Sequence, residues 1–149
     1  MAVTSVSSWE RFFRAAAGLN IDKNDVKRHQ DFVDARLRQL IVRAEAVAKA
    51  NGRDLIEFWD LPITAGLQTC LHDFEDLDAD LDLTGALREI APVPPTDFDY
   101  SEEARNSLAS VAGGVSVALA RVLRLLDPEV KNPQTTHWER AEQLFDVLL

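Results

Sequence analysis

From Asp22 to Ala50 the chain places an apolar residue at almost every third or fourth position: Val26, Phe32 and Val33, Leu37, Leu40 and Ile41, Ala44, Val47 and Ala48. This is the period of an amphipathic helix. It holds for about eight turns, on the order of 40 Å. Charges fill the other faces, among them Arg28, Asp31, Asp34, Arg36, Arg38, Arg43, Glu45 and Lys49. Half of a short chain cannot wrap so long a stripe, so a second layer of similar length is required.

The sequence contains such a layer. Ser101, followed by Glu102 and Glu103, starts a second long helix with acids at its positive end. Its stripe is Ala104, Leu108, Val111, Ala112, Val115, Leu119, Val122, Leu125 and Leu126, and Asp127-Pro128 ends it. Gly113-Gly114 interrupts it at a cost of about 2 kcal/mol against Ala, which implies close backbone packing or a bend.

Shorter helices flank both long ones. Ser7 or Ser8 caps a helix to Ala17, with Trp9, Phe12, Phe13 and Ala16 on one side and Gly18 as its stop. Asn51-Gly52 ends the first long helix, and Arg53 to Phe58 is extended. Asp60 as N-cap, with Pro62 in the first turn, opens a helix striped by Ile63, Leu67, Cys70, Phe74, Leu77 and Leu81. A short helix is expected over Leu83 to Ala91, broken by Pro92, Pro94 and Pro95. Pro133 opens a last helix with Trp138, Ala141, Leu144, Phe145 and Leu148 inward. The expected fold is all-α: one compact domain over 1–149, in which short, long and short helices follow one another twice, over 7–82 and 83–149. The repeat is one of pattern, without close identity between its copies.

The net charge is -9, unevenly spread. Residues 1–72 hold ten Lys/Arg and nine Asp/Glu; residues 73–149 hold six and sixteen. Nucleic-acid affinity grows by neutralising phosphates, so the second half repels such a partner and only the first half offers contacts. The lone Cys70 forms neither an intramolecular disulfide nor a cysteine metal cage. Met1 to Ser8 lacks the basic start and apolar run of a signal peptide. No stretch reaches the length of a membrane span, and Arg121 and Arg124 interrupt the most apolar one. A cytoplasmic location is expected.

Short, long and short helices about a central helix resemble the histone fold. The run Lys49-Ala50-Asn51-Gly52-Arg53-Asp54-Leu55-Ile56, then Asp60-Leu61-Pro62-Ile63, resembles the histone link into the third helix. The resemblance implies a structural clamp between Arg53 and Asp60. The strings Phe13-Arg14-Ala15-Ala16-Ala17-Gly18-Leu19, Asp22-Lys23-Asn24-Asp25-Val26-Lys27-Arg28 and Lys131-Asn132-Pro133-Gln134-Thr135 extend it, so that nearly the whole chain resembles a bacterial family of tandem histone folds, domain-of-unknown-function family 1931. That implies two histone folds packed as an intramolecular pair, with no established activity. The second half departs from the pattern: seven residues after Lys131 stands Trp138 where an Asp is called for, and Glu139 is shifted.

By the same resemblance, Lys23, Lys27, Arg28 and Arg53, with Arg11 and Arg14 beside them, are the candidate contacts to duplex DNA. The residue pattern itself favours a solvated helix face, since Asp22, Asp25 and Asp31 interleave with these cations. Asp76-x-Asp78-x-Asp80 opens like a calcium loop but has Leu81 and Leu87 where a Gly and a carboxylate are needed. The acidic run from Asp73 to Asp82 reads as a helix face that a basic partner could use. His29, His72, His137 and Cys70 are the natural catalytic suspects, yet Cys70 and His72 point to different helix faces and no third member accompanies them. No phosphate loop, nucleophile elbow or paired-histidine motif occurs. Trp59, in a link, is the aromatic expected to be exposed. The sequence therefore predicts a non-enzymatic protein without cofactor or small-molecule substrate. It binds a protein partner or another copy of itself; the alternative is histone-like DNA binding.

Overall fold

A computed structural model describes residues 3–83, 85–87 and 93–148. Its elements are α1 (Val3–Ala17), α2 (Lys23–Ala50), β1 (Leu55–Ile56), one 3-10 turn (Phe58–Asp60), α3 (Ala65–Leu81), β2 (Asp99–Tyr100), α4 (Glu102–Leu126) and α5 (Thr135–Leu148). Residues 85–87 are also helical. The rest of the helix expected over 83–91, from residue 88 on, lies outside the described residues, as does Pro92. The protein is predominantly helical, as its patterning requires.

Local chemistry sets most boundaries. The Asp22 carboxylate accepts the Asp25 N–H at 2.9 Å, and the Asp25 carboxylate accepts the Asp22 N–H at 3.1 Å. This reciprocal box satisfies two orphan donors at the start of α2. Ser101 caps α4 by accepting the Ala104 N–H at 3.0 Å. Gly18 and Gly52 end α1 and α2 with φ of 65° and 72°, a region that glycine enters without strain.

Three boundaries differ from expectation. Helix α1 begins at Val3 because Val6 prolongs the inner side that runs through Trp9 and Phe13. Asp60 does not cap α3, since its carboxylate is held by Arg53. Thr64 caps instead, accepting the Leu67 N–H at 3.2 Å, and Pro62 precedes the helix. Helix α5 starts two residues after Pro133, where His137 Nδ1 accepts the Gln134 N–H at 2.8 Å.

Helix α3 runs along α4, and α1 packs across both. The contact is closest at the glycine pair. A Cβ on Gly113 would lie 2.4 Å from the Phe74 ring, and one on Gly114 would lie 2.8 Å from Leu71. Val111 to Val117 of α4 are all buried. In its last turns the inner side runs through Leu119, Leu123 and Leu126, so Leu125, expected inside, is 78% exposed. On α5, Trp138, Ala141 and Phe145 are buried, while Leu144 and Leu148, also expected inside, are exposed and border open grooves. By length and composition alone α4 reaches the size of a membrane span, contrary to the sequence expectation, but most of it is buried inside the fold.

The links meet crosswise. Strands β1 and β2 pair in parallel, Leu55 opposite Asp99 and Ile56 opposite Tyr100, so the link after α2 joins the one before α4. The Asn20 N–H donates to the Lys131 carbonyl at 2.7 Å, so the link before α2 joins the one after α4.

Replacing Gly113 by Ala gains about 1 kcal/mol of helix propensity but forces a methyl into the Phe74 ring, an overpacking cost of about 1–3 kcal/mol. Net destabilisation is expected on chemical denaturation. Gly66→Ala, which meets nothing within 4 Å, is expected to leave stability unchanged or slightly higher.

Candidate functional site

The most tightly organised surface feature is the turn between β1 and α3. Arg53 Nη1 donates to Asp60 Oδ2 at 2.7 Å, and Nη2 donates to Asp60 Oδ1 at 2.8 Å. Nη1 also donates to the Leu55 carbonyl at 3.0 Å. The buried Asp60 carboxylate accepts the Glu57 N–H at 2.9 Å as well. A planar guanidinium and a carboxylate matched in this way fix geometry as well as charge. The hydrogen bond from Arg53 holds the Asp60 carboxyl below its ordinary range and outweighs the opposing effect of burial. The two residues named as a clamp from sequence are thus in direct contact.

This clamp determines what the turn displays. Phe58 packs against the core and Asp60 is buried, whereas Trp59 between them is 68% exposed. Asp54, Asp97, Asp99, Glu102 and Glu103, all exposed, belong to the same ribbon and the start of α4. An exposed indole therefore stands on a rigid turn beside an acidic ribbon.

The opposite link pair carries both charges, with exposed Asp22, Asp31 and Glu129 among its cations. Lys23, Lys27 and Arg28 lie at the start of α2, and Lys131 joins them through the Asn20 contact. Lys27 pairs with Asp31 at 2.7 Å, and Arg28 donates to Thr135 Oγ1 at 3.0 Å. Arg53 belongs to the other end of α2, roughly 40 Å away, so the phosphate candidates do not form one surface. Of the further candidates, Arg11 and Arg14 are exposed on α1.

The histidines and Cys70 do not converge. His29 is fully buried between Trp9 and Phe13, with Nε2 2.8 Å from Ser116 Oγ. Ser116 donates to the Ala112 carbonyl, so the imidazole donates to Ser116. His29 Nδ1 and Trp9 Nε1 have no hydrogen-bond partner among the described residues. Burial lowers the His29 pKa to about 3. His137 contacts Asp127 at 3.2 Å in the last link, and His72 is exposed. Cys70 is buried, which pushes its thiol up. No described group of His, Cys, Asp or Glu is arranged to hold a metal ion.

Sequence reasoning missed two arginines. Arg124 donates to the carbonyls of Ala17, Gly18, Pro128 and Val130 at 2.6–3.1 Å and staples the end of α1 to the last link. Arg121 pairs with Asp73 at 2.7 Å. Their signal was present, as cations on an otherwise apolar helix. Lys131, the expected stand-in for a second clamp, makes no such pair among the described residues, and Trp138 donates to Asp25 at 3.0 Å.

Two stability tests follow. Arg53→Ala is expected to lower the thermal midpoint by a few degrees, because Asp60 stays buried without its main partner. The neutral His29 contributes stability that is complete above about pH 6.5, its ordinary pKa, and is lost as pH falls toward 3, because the unfolded chain takes up the proton first. His29→Gln is expected to flatten that slope in denaturation curves between pH 7 and 4.

The chain matches a domain of unknown function (DUF1931) over residues 9–146. An uncharacterised protein of Aquifex aeolicus (strain VF5) is 26% identical over 92% of this chain and 80% of its own length. A second is 29% identical over 82% of this chain and 78% of its own. A crystal structure from Thermus thermophilus is 51% identical, with a TM-score of 0.85 over 97% of both chains. Another, from Aquifex aeolicus, has a TM-score of 0.85 at 24% identity over 97% of this chain and 95% of that one, a likeness of fold.

Proposed function

The chain belongs to the DUF1931 family, and we propose that this member is a single-chain pair of histone folds acting as a non-enzymatic, cytoplasmic protein-interaction module. Residues 7–82 and 83–149 are its two halves. The crosswise pairing of links, β1 with β2 and Asn20 with Lys131, supports the paired-fold reading. It joins the ends of two long helices as a two-fold arrangement would.

The observation that carries the interaction role is Trp59. A large aromatic on a pre-ordered turn loses little freedom on docking, and tryptophan dominates the energetic centres of protein interfaces. Here the clamp has already fixed the backbone. The carboxylates of the ribbon select a partner with a basic surface and a pocket for an indole. They disfavour phosphate at this end.

A second reading, histone-like contact with duplex DNA, rests on Lys23, Lys27, Arg28 and Lys131 at the other link pair. Asp22, Asp31 and Glu129 interleave with these cations, which leaves a short footprint.

A photo-crosslinking residue at position 59 is expected to yield an adduct in cells, whereas the same residue at position 75, on the acidic face of α3, does not. Trp59→Ala is expected to keep the wild-type melting midpoint. If position 59 gives no adduct while duplex DNA binds at micromolar concentration in low salt, and Lys23→Ala, Lys27→Ala and Arg28→Ala together abolish that binding, the DNA reading replaces this one.

A further inference from the structure

Beside the C-terminal half of α5, two grooves meet. The larger, about 610 Å³, runs along α2, with Leu40, Val42, Pro62, Val115 and Leu148 as its apolar lining. Arg36, Arg38 and Arg43 stand on its α2 side. The smaller, about 290 Å³, is lined by Leu67, Ala118, Val122, Leu144 and Phe145. Thr64 and Leu148 border both grooves, so they form one channel that is cationic at one end and apolar at the other. The larger groove alone falls in the range of about 300–1,000 Å³ typical of small-molecule sites.

The cations are not equally engaged. Arg38 pairs with Asp34 at 3.0 Å. The buried Arg36 donates to Asp146 at 2.7 Å and to Gln39 at 3.1 Å, and its Nε has no partner among the described residues. Arg43 makes no ion pair or hydrogen bond among the described residues. Arg38 and Arg36 are each matched by a carboxylate, so Arg43 is left as the groove's uncompensated cation among the described residues. Asp146, 59% exposed, is the one carboxylate side chain lining the groove among the described residues, and it holds the buried guanidinium as a ligand's carboxylate would.

We propose that this channel binds a free medium-chain fatty carboxylate, independently of the Trp59 site. The head group is held by Arg43 and shares Arg36 with Asp146. The acyl chain passes Leu148 and lies against Leu144 and Val122. Charge selects the head, since guanidinium binds carboxylate in a fork geometry, and burial of methylenes holds the tail.

The test is calorimetric titration of the full chain with decanoate below its micellar concentration, beside decanol as the neutral control. One site per chain is expected, with decanol about tenfold weaker. Arg43→Ala is expected to weaken decanoate about tenfold, the scale of one charged hydrogen bond, and to leave decanol unchanged. Asp146→Asn, which removes the competing carboxylate, is expected to tighten decanoate severalfold. Leu144→Glu is expected to abolish binding of both; if that variant melts early, Arg43→Ala, an exposed change, decides. No binding up to millimolar decanoate overturns the proposal, as does equal affinity for decanol. Binding of anionic phospholipid vesicles without decanoate, or a dimer in sedimentation that Leu148→Glu dissociates, also overturns it by assigning the channel to another occupant.

Discussion

Everything in the fold depends on how closely α3 can approach α4. At Gly113 and Gly114 the absent side chains are replaced by the Phe74 ring and by Leu71, so α3 lies closer to α4 than side chains at these positions would allow. That approach closes the core around the middle of α4. It also leaves room for α1 to lay Trp9, Phe12 and Phe13 over the joint with no exposure at all. Interiors are packed to crystal-like density, so any larger residue at position 113 must displace the Phe74 ring. The two glycines weaken a helix locally so that three helices can share one core.

The long helices were legible in the sequence because their periodicity persists for many turns and their ends carry independent signals: Asp22 and Ser101 as caps, Gly52 and Asp127-Pro128 as stops. The clamp was legible because Arg53 and Asp60 are close in sequence and one turn brings them together. What failed to show was long-range. Whether Asp60 caps α3 or is held by Arg53 is a competition that spacing alone does not decide. Leu125, Leu144 and Leu148 read as core because apolar residues at helical spacing look alike whether or not another element covers them. Arg124 reads as a surface residue until the last link and the end of α1 are brought together around it.

The candidate site was legible in part. Trp59 stood out as the aromatic outside any stripe, and the structure exposes it. The gathering of acids at one link pair was visible only as a bias between the halves of the chain. Folding brings Asp54, Asp97, Asp99, Glu102 and Glu103 together at one end, whereas the other mixes Lys23, Lys27, Arg28 and Lys131 with Asp22, Asp31 and Glu129. Sequence counting could not show that Arg53 sits with the acids.

Both link contacts, β1 with β2 and Asn20 with Lys131, join segments of one polypeptide. Partners tethered in this way meet at an effective concentration set by the connection between them and do not depend on the supply of protein. Dilution therefore cannot separate them. Nor must the two surfaces be copies of each other, as they are where identical subunits pair about a two-fold axis. Each is free to drift as long as it still fits its neighbour. A clamp built from Arg53 and Asp60 at one end and a staple built from Arg124 at the other are what such release from symmetry permits.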